Sequence, residues 1–316
     1  MNPVVYPKKV SIVLPAFNEH DNIPVIAKKL QEVLASIHYE YEIIFVNDGS
    51  KDSTQEVLES IASTNDKIHY IELSRNFGHQ NALKAGMDMA TGDCIISMDC
   101  DMQHPPELII DFIKKWEEGY EVVYSIRKES KELTGFKRNT SKLFYSIINS
   151  MSDINLEPGT ADFRLLDRKV SNVFCNFSEN EPFIRGLIKW MGFKQFAIEY
   201  IPAKRHSGES NYTLKKMMKF ALQGITSFSI RPLYTAVYLG FTFSMLSLLY
   251  IPYVLYSLYT GAEVAGWASV IMTIVFFGGL QLVILGIIGI YIGKLFIQSK
   301  NRPNYIIRNT SLKNNY

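Results

Sequence analysis

Two long uncharged stretches near the C-terminal end place the strongest constraint on how this 316-residue chain can fold. Residues 233–259 and 264–293 contain no charged side chain, and Glu263 lies between them. A helix that crosses a bilayer needs about 20 consecutive apolar residues, which each stretch exceeds. A buried helix of a soluble core is the alternative, but such helices are usually shorter. We therefore predict a hairpin of two transmembrane helices, at about 233–259 and about 266–293.

The charges around this hairpin predict its orientation. Basic residues flank it on both outer sides: Lys215, Lys216, Lys219 and Arg231 before it, and Lys294, Lys300, Arg302, Arg308 and Lys313 after it. The connecting turn at 260–265 has no Lys or Arg. The positive-inside rule then places both chain termini in the cytoplasm, as expected of a multi-pass protein of the plasma membrane. The first nine residues lack the apolar region of a signal peptide, and the cysteines lack disulfide spacing, which agrees with this orientation.

The remaining sequence divides into a soluble domain at 1–210, a juxtamembrane segment at 211–230, the membrane pair at 231–300 and a cytoplasmic tail at 301–316. The juxtamembrane segment has apolar residues at helical spacing and lysines on the opposite face. This pattern predicts an amphipathic helix lying in the membrane surface. The net charge of +2 is too small to indicate nucleic-acid binding.

Short apolar stretches alternate with helical patterns over residues 9–125. This alternation predicts an α/β fold with a doubly wound, mostly parallel sheet. Ligands of such sheets bind beyond the carboxyl ends of the strands. Polar turns follow the predicted strands there: Asn18-Glu19, Asn47-Asp48-Gly49-Ser50, Arg75-Asn76 and Asp99-Cys100-Asp101. No GxGxxG motif follows the first strand, so a dinucleotide-type phosphate turn is absent.

Asp99 and Asp101 are the candidate metal ligands. Their i, i+2 spacing at a strand end can bring two carboxylates to one Mg²⁺ or Mn²⁺, which prefers oxygen ligands and is often shared with substrate phosphates. Such a cation would stabilise a diphosphate leaving group. An Asp-x-Asp triplet alone is common in surface turns, but the position after a buried strand favours the functional interpretation.

Other polar residues each have two interpretations. Asp48 suits either an ordinary turn or contacts to a nucleobase, and Glu19 suits a helix cap. Asp162 is either an ion-pair partner of Arg164 or of a nearby lysine, or a carboxylate that faces the reacting centre as base or positioner. Arg127 and Arg138 can bind phosphate. The basic loop at 204–210 suits either acidic lipid headgroups or substrate phosphates.

Taken in order, several segments give this chain a family resemblance. They are Val13–Glu19, Val46–Thr54, Leu73–Gln80, Met98–Glu107, Asp162–Leu165, Arg205–Ser210 and the apolar tail. The set resembles the family 2 glycosyltransferases with a GT-A fold. More narrowly, it is similar to the polyprenyl-phosphate glycosyltransferases, which include the bactoprenol glucosyl transferases and dolichol-phosphate mannose synthase. Asn47 and Cys100 depart from the pattern, where Asp and Ala are frequent.

The resemblance implies roles for individual residues. It implies a nucleotide pocket formed by Pro15, Ala16, Phe17, Glu19, Asp48, Asp99 and Cys100. It implies Asp99, Asp101 and Gln103 as metal ligands, and Asp162 with Asp101 as the catalytic acids. It implies phosphate or acceptor binding by Arg127, Arg138, Ser141, Lys142, Arg205 and Ser210.

The resemblance also implies the reaction and its partners. The expected activity is inverting transfer of a hexose from a nucleotide sugar, with UDP-glucose or a UDP-N-acetylhexosamine favoured, to undecaprenyl phosphate for glycosylation of a surface polymer. A phosphate monoester has its second pKa near about 6, so the acceptor can attack without a strong base and Asp162 would orient more than deprotonate. The family further implies a homo-oligomer, with a tetramer as one form. The alternatives are another membrane-borne acceptor, or a membrane-tethered subunit that only binds nucleotide sugar.

Overall fold

A computed structural model describes residues 8–128, 157–180, 182–202, 226, 229–261 and 266–312. Strands and helices alternate through the first part of the chain, as the sequence predicts. The elements are β1 (Lys9–Ala16), α1 (Asn22–Leu34), β2 (Glu40–Asn47), α2 (Thr54–Thr64), β3 (Ile68–Leu73), α3 (His79–Met89), β4 (Cys94–Ser97), α4 (Leu108–Glu117) and β5 (Val122–Arg127). After a gap in the description follow β6 (Thr160–Asp167), α5 (Arg168–Cys175), α6 (Ile184–Trp190) and β7 (Gln195–Tyr200).

These strands form one mixed sheet with the order β7-β5-β6-β4-β1-β2-β3-β8, where β8 is Ile307–Thr310. β1 pairs in parallel with β2 and β4, and β2 pairs in parallel with β3. β6 lies antiparallel between β4 and β5, and β7 is parallel to β5. The sheet is therefore parallel on the side that carries the predicted polar turns and mixed elsewhere.

Helices cover both faces of the sheet, which confirms the doubly wound arrangement. Alternate residues of a strand point to opposite faces, so Ile12 and Leu14 of β1 lie in one core and Val13 lies in the other. The first core also contains apolar residues of α1, α2 and α4, and the second contains those of α3, α5 and α6. Burial of apolar surface on both faces fixes the sheet between two layers of helices.

The C-terminal strand β8 was not anticipated, because the sequence analysis treats 301–316 only as a tail. β8 pairs antiparallel with the edge strand β3. Arg308 donates to Glu72 Oε1 at 2.9 Å, and Thr310 Oγ1 donates to the carbonyl of Tyr70 at 2.8 Å. The chain thus returns from its apolar segment to the soluble domain and covers an edge that would otherwise be open.

The apolar segment forms α7 (Arg231–Leu248), α8 (Tyr250–Thr260) and α9 (Trp267–Ser299). Among the described helices, one is long and apolar enough to cross a membrane, over Val270–Ser299 of α9. The predicted first transmembrane helix is interrupted at Leu249, so the two-helix hairpin is not confirmed. Pro252 accounts for the break, because it has no N–H to donate to the carbonyl of Leu248 and its ring crowds that carbonyl.

Large apolar side chains on these helices face outward. Tyr238 is 69% exposed, Val275 68% and Leu295 69%. An apolar surface of this extent is covered by a membrane or by a partner in a stable protein. The predicted interfacial helix at 211–230 lies outside the described residues, apart from residues 226, 229 and 230.

Candidate active site

A cleft opens at the carboxyl ends of β1, β2 and β4, with an empty volume of about 740 Å³ that includes the solvent space at its mouth. It is lined by Pro15, Ala16, Phe17, Glu19, Asp48, Asn76, Gly78, His79, Asp99, Cys100 and Asp101. Each residue that the sequence analysis assigned to a nucleotide pocket is in this set, and Asp101 joins them. The parallel strands cause this convergence, since their carboxyl ends meet at one edge of the sheet.

Asp48 connects the floor of the cleft to the loop between β3 and α3. Its two carboxylate oxygens accept the backbone N–H groups of Phe77 at 2.7 Å and Gly78 at 3.0 Å. Burial raises the pKa of Asp48, and these two hydrogen bonds only partly oppose that effect. The neighbouring Gly49 has φ +67, and a Cβ there would lie 2.4 Å from the carbonyl carbon of Arg75. The two loops are therefore in close backbone contact, and Asp48 shapes the cleft.

The Asp99–Asp101 turn is held by contacts on several sides. The buried Cys100 thiol donates to the carbonyl of Pro15 at 3.3 Å, which ties the turn to the end of β1. Asp101 Oδ1 accepts the backbone N–H of Gln103 at 3.1 Å. His104 Nδ1 accepts the backbone N–H of Asp99 at 3.1 Å. The turn is therefore preorganised, and Cys100 suits this role because the residue is small.

His104 was not predicted to have a role, although it belongs to the motif that carries the family resemblance. Its ring is buried and stacks on Phe163 with a centroid distance of 5.2 Å. Because Nδ1 accepts a hydrogen bond, the neutral ring carries its proton on Nε2, which lies 3.7 Å from Asp99 Oδ2. His104 thus contacts both the backbone and the carboxylate of Asp99.

The two acids fit a divalent cation whose remaining ligands come from a substrate. Asp99 Oδ1 is buried and accepts no hydrogen bond from the described residues, and His79 Nε2 lies 3.5 Å from it. A buried carboxylate oxygen without a hydrogen bond is costly unless a cation lies against it. The described residues contain no group of three or more His, Cys, Asp or Glu side chains that could hold a metal ion. Mg²⁺ and related ions are commonly bound by one or two carboxylates together with substrate phosphates, which matches this donor set.

Asp162 is buried at 5% exposure and sits in a network of basic side chains. Arg185 of α6 binds it through one edge of the guanidinium, with Nε donating to Oδ1 at 2.9 Å and Nη2 donating to Oδ2 at 2.8 Å. Arg164 Nη2 lies 3.5 Å from Oδ1. Burial opposes ionisation, but Arg185, His79 and Arg164 outweigh it and hold the pKa of Asp162 well below its usual range. The predicted ion pair with Arg164 is present, and the shorter one with Arg185 was missed.

Two residues at the start of α3 contact Asp162, and one of them, His79, also contacts Asp99. His79 Nε2 lies 3.5 Å from Asp99 Oδ1 and 3.7 Å from Asp162 Oδ2. Desolvation lowers the pKa of His79, but the hydrogen bond to Asp162 and the charge of Asp99 raise it by more. Gln80 Nε2 donates to Asp162 Oδ2 at 3.2 Å. Their position just after a polar strand end was the sequence signal that could have identified them.

The predicted phosphate-binding residues are only partly described. Arg127 lies at the end of β5, and its Nη1 donates to Gln103 Oε1 at 3.4 Å. Arg127 is therefore next to the Asp99–Asp101 turn. The side-chain oxygen of Gln103, which the resemblance implies as a metal ligand, accepts this hydrogen bond from Arg127. Arg138, Ser141, Lys142, Arg205 and Ser210 lie outside the described residues.

Comparisons with known proteins agree on one family. The family model described as glycosyl transferase family 2 matches residues 11–174. The uncharacterized glycosyltransferase YkcC of Bacillus subtilis (strain 168) is 46% identical over 94% of this chain and 93% of its own. A bactoprenol glucosyl transferase of Shigella phage SfV is 38% identical over 96% of this chain and all of its own length. The crystal structure of mannosyl-3-phosphoglycerate synthase from Rubrobacter xylanophilus superposes with a TM-score of 0.50 at 16% identity, over 70% of this chain and 73% of that chain.

Proposed function

This chain belongs to glycosyl transferase family 2, and from that premise we propose that it transfers a hexose from a nucleotide sugar to a polyprenyl phosphate at the cytoplasmic face of a membrane. It is a glycosyltransferase with a GT-A-like α/β fold and a mixed sheet. The observation that carries the finer proposal is a cleft in which a buried Asp99 oxygen accepts no hydrogen bond, although His79 Nε2 lies 3.5 Å away, in a chain that also contains a membrane-length helix.

The cleft provides the groups that a nucleotide sugar needs. Phe17 is 42% exposed at the cleft, so its ring is available to stack on a nucleobase. Asp99 and Asp101 would hold Mg²⁺ or Mn²⁺ against the diphosphate, and such a cation would neutralise the charge that develops on the leaving group. Arg127, beside this turn, can add a forked contact to a phosphate oxygen. A UDP-sugar is the donor that we propose.

The acceptor side of the proposal rests on the apolar helices. A relative named as a bactoprenol glucosyl transferase matches over nearly the full chain, apolar segment included. The outward-facing apolar side chains of α9 suit a lipid environment. We propose undecaprenyl phosphate as acceptor, with the soluble domain and both termini on the cytoplasmic side. Because β8 returns to the sheet of the soluble domain after α9, this topology requires α7 and α8 together to form the other crossing.

The chemistry needs little proton transfer. A phosphate oxygen of the acceptor attacks the anomeric carbon, the bond from that carbon to the nucleoside diphosphate breaks, and the electron pair leaves with the diphosphate. Direct displacement inverts the anomeric configuration. Asp162 is a weak base here, because its pKa lies well below its usual range and Arg185 occupies both of its oxygens. Its role in this scheme is to position His79 and Arg185 beside the reacting groups.

A transfer assay tests the proposal. Purified full-length protein in lipid nanodiscs is incubated with undecaprenyl phosphate, Mn²⁺ or Mg²⁺, and labelled UDP- and GDP-sugars one at a time. We expect one lipid-linked product of inverted configuration, lost in Asp101→Asn. Asp111→Asn is the matched control, because Asp111 makes only an exposed ion pair with Lys114 on α4.

Each other outcome has a distinct meaning. Retention of configuration would exclude the single displacement. If the protein binds the donor but makes no product with undecaprenyl phosphate, the assay is repeated with sugar-bearing membrane acceptors. A product with one of them would favour the alternative of another membrane-borne acceptor. Full activity of Asp101→Asn would exclude the proposed role of the Asp99–Asp101 turn.

A further inference from the structure

The last turn of the membrane-length helix α9 is hydrogen-bonded to the loop that leads into α6. Gln298 Nε2 donates to the carbonyl of Ser178 at 2.9 Å. In return, Asn180 donates its backbone N–H to Gln298 Oε1 at 3.3 Å and its Nδ2 to the carbonyl of Ile297 at 3.1 Å. One side chain from each element therefore bonds to the other element's backbone, which fixes their relative position in two directions.

The loop held in this way ends in the helix that binds Asp162. α6 begins at Ile184, whose backbone N–H donates to Gln80 Oε1 at 3.3 Å. The next residue, Arg185, makes both short contacts to Asp162. Gln80 in turn donates to Asp162. The first turn of α6 is thus part of the site, and it starts four residues after Asn180.

Polar contacts hold the end of α9 against this loop. An open groove lies beside these contacts, with an empty volume of about 780 Å³ that includes the solvent space at its mouth. It is lined by Glu179, Asn180, Thr226, Tyr291, Lys294, Leu295, Ile297 and Gln298. The hydrogen bonds of Gln298 and Asn180 join the backbone of the loop to the last turn of α9. Lys294 of α9 also attracts the carboxylate of Glu179 beside them.

We propose that Gln298 is a positioning residue, which holds the loop at 178–180 on the end of α9 and thereby sets the position of Arg185 against Asp162. The arrangement of the membrane helix then controls the rate of glycosyl transfer. Its kinetic test rests on the proposed function, since it measures transfer to the lipid. A second measurement, on the exchange of α6 amide protons, does not depend on the acceptor.

The kinetic test compares Gln298→Ala with Ser299→Ala in nanodiscs. Ser299 is the matched control, because the hydrogen bond of its hydroxyl goes to Phe296 in its own helix. We expect Gln298→Ala to lower kcat about tenfold, the effect of one or two lost interface hydrogen bonds, with the KM for the nucleotide sugar unchanged. A variant that merely unfolds would lose donor binding as well, so the split between kcat and KM separates the two cases.

A double-mutant cycle with Arg185→Lys tests whether Gln298 acts through Arg185. We expect Gln298→Ala/Arg185→Lys to be no slower than Arg185→Lys alone, because both changes disturb the same contact. Independent, multiplying effects would overturn the proposal. So would a kcat of Gln298→Ala equal to that of Ser299→Ala.

Hydrogen–deuterium exchange covers the case in which wild-type protein makes no lipid product. We expect Gln298→Ala to speed amide exchange within residues 184–190 and Ser299→Ala to leave it unchanged. Unchanged exchange in Gln298→Ala would overturn the inference whatever the acceptor is. Faster exchange together with absent transfer in the wild type would contradict only the proposed function.

Discussion

Replacing Asp162 with Asn should destabilise the folded protein markedly, because it removes the negative charge between two arginines. The side chain of Arg164 is only 3% exposed, and burial lowers its pKa to about 10 even with Asp162 beside it. Breaking a buried ion pair from one side costs about 3–5 kcal/mol. Arg185 keeps 25% of its side-chain surface in solvent, so leaving it without Asp162 costs less than leaving Arg164. We therefore expect Asp162→Asn to lower the free energy of unfolding by about 3 kcal/mol.

Thermal unfolding in detergent, followed by tryptophan fluorescence, measures this effect. For a soluble part of this size, about 3 kcal/mol corresponds to a Tm lower by about 6–12 °C. Asp111→Asn is again the control, since an exposed i, i+3 ion pair contributes about 0.5 kcal/mol or less. If Asp162→Asn melted within a degree or so of Asp111→Asn, the two arginines would not depend on Asp162, and its proposed positioning role would fail.

Three further predictions follow from single contacts. Gly49→Ala should lower the free energy of unfolding by about 2 kcal/mol or more and weaken donor binding, because the new Cβ would clash with backbone at a φ of +67. Thermal unfolding measures the loss of stability, and calorimetry measures donor binding. His104→Phe should weaken Mn²⁺ binding in the presence of UDP by about tenfold, because it keeps the stacked ring but removes the acceptor for the Asp99 N–H. Calorimetry measures this Mn²⁺ affinity. Glu42→Gln should lower the free energy of unfolding by about 1–2 kcal/mol at neutral pH, since Glu42 accepts short hydrogen bonds from Lys9 and from the buried Ser11. The difference in Tm between wild type and Glu42→Gln should shrink in acid.

The sign of the acid dependence follows from the pKa of Glu42. Burial raises that pKa, but the hydrogen bonds from Lys9, Ser11 and Thr91 outweigh burial, so the folded-state pKa is lowered. A lowered pKa stabilises the folded protein above the unfolded-state pKa of about 4.3, and this stabilisation is lost as the pH falls through the folded-state pKa. An equal Tm difference between wild type and Glu42→Gln at pH values well above and well below that range would contradict this account.

Controls separate the other two predictions from general damage. Gly119→Ala has a comparable positive φ of +87 but no atom within 4 Å of the new Cβ, so it should lose stability without losing donor affinity. Equal donor affinity in Gly49→Ala and Gly119→Ala would show that the contact between the two loops does not shape the cleft. Unchanged Mn²⁺ affinity in His104→Phe would show that the Asp99 backbone needs no acceptor there.

Local patterns in the sequence determined much of this protein. Alternating apolar stretches and helical spacing gave the strands and helices, because side-chain periodicity follows directly from backbone geometry. The polar residues after β1, β2 and β4 predicted the cleft, since parallel strands bring their carboxyl ends to one edge. The long uncharged stretches predicted helices in the apolar segment. The break in the first stretch also has a local cause, Pro252.

Tertiary structure alone decided which distant groups meet. Asp162 lies 82 residues from Gln80 and 23 from Arg185, and no periodicity links these positions. β8 joins β3 across 240 residues between Tyr70 and Thr310, and Gln298 contacts Ser178 across 120 residues. Such pairs depend on the path of the whole chain, because residues far apart in sequence meet only through the tertiary packing of the elements that carry them. The sequence therefore predicted the acids that line the cleft, whereas only the fold shows that Arg164, Arg185 and His79 lie around Asp162.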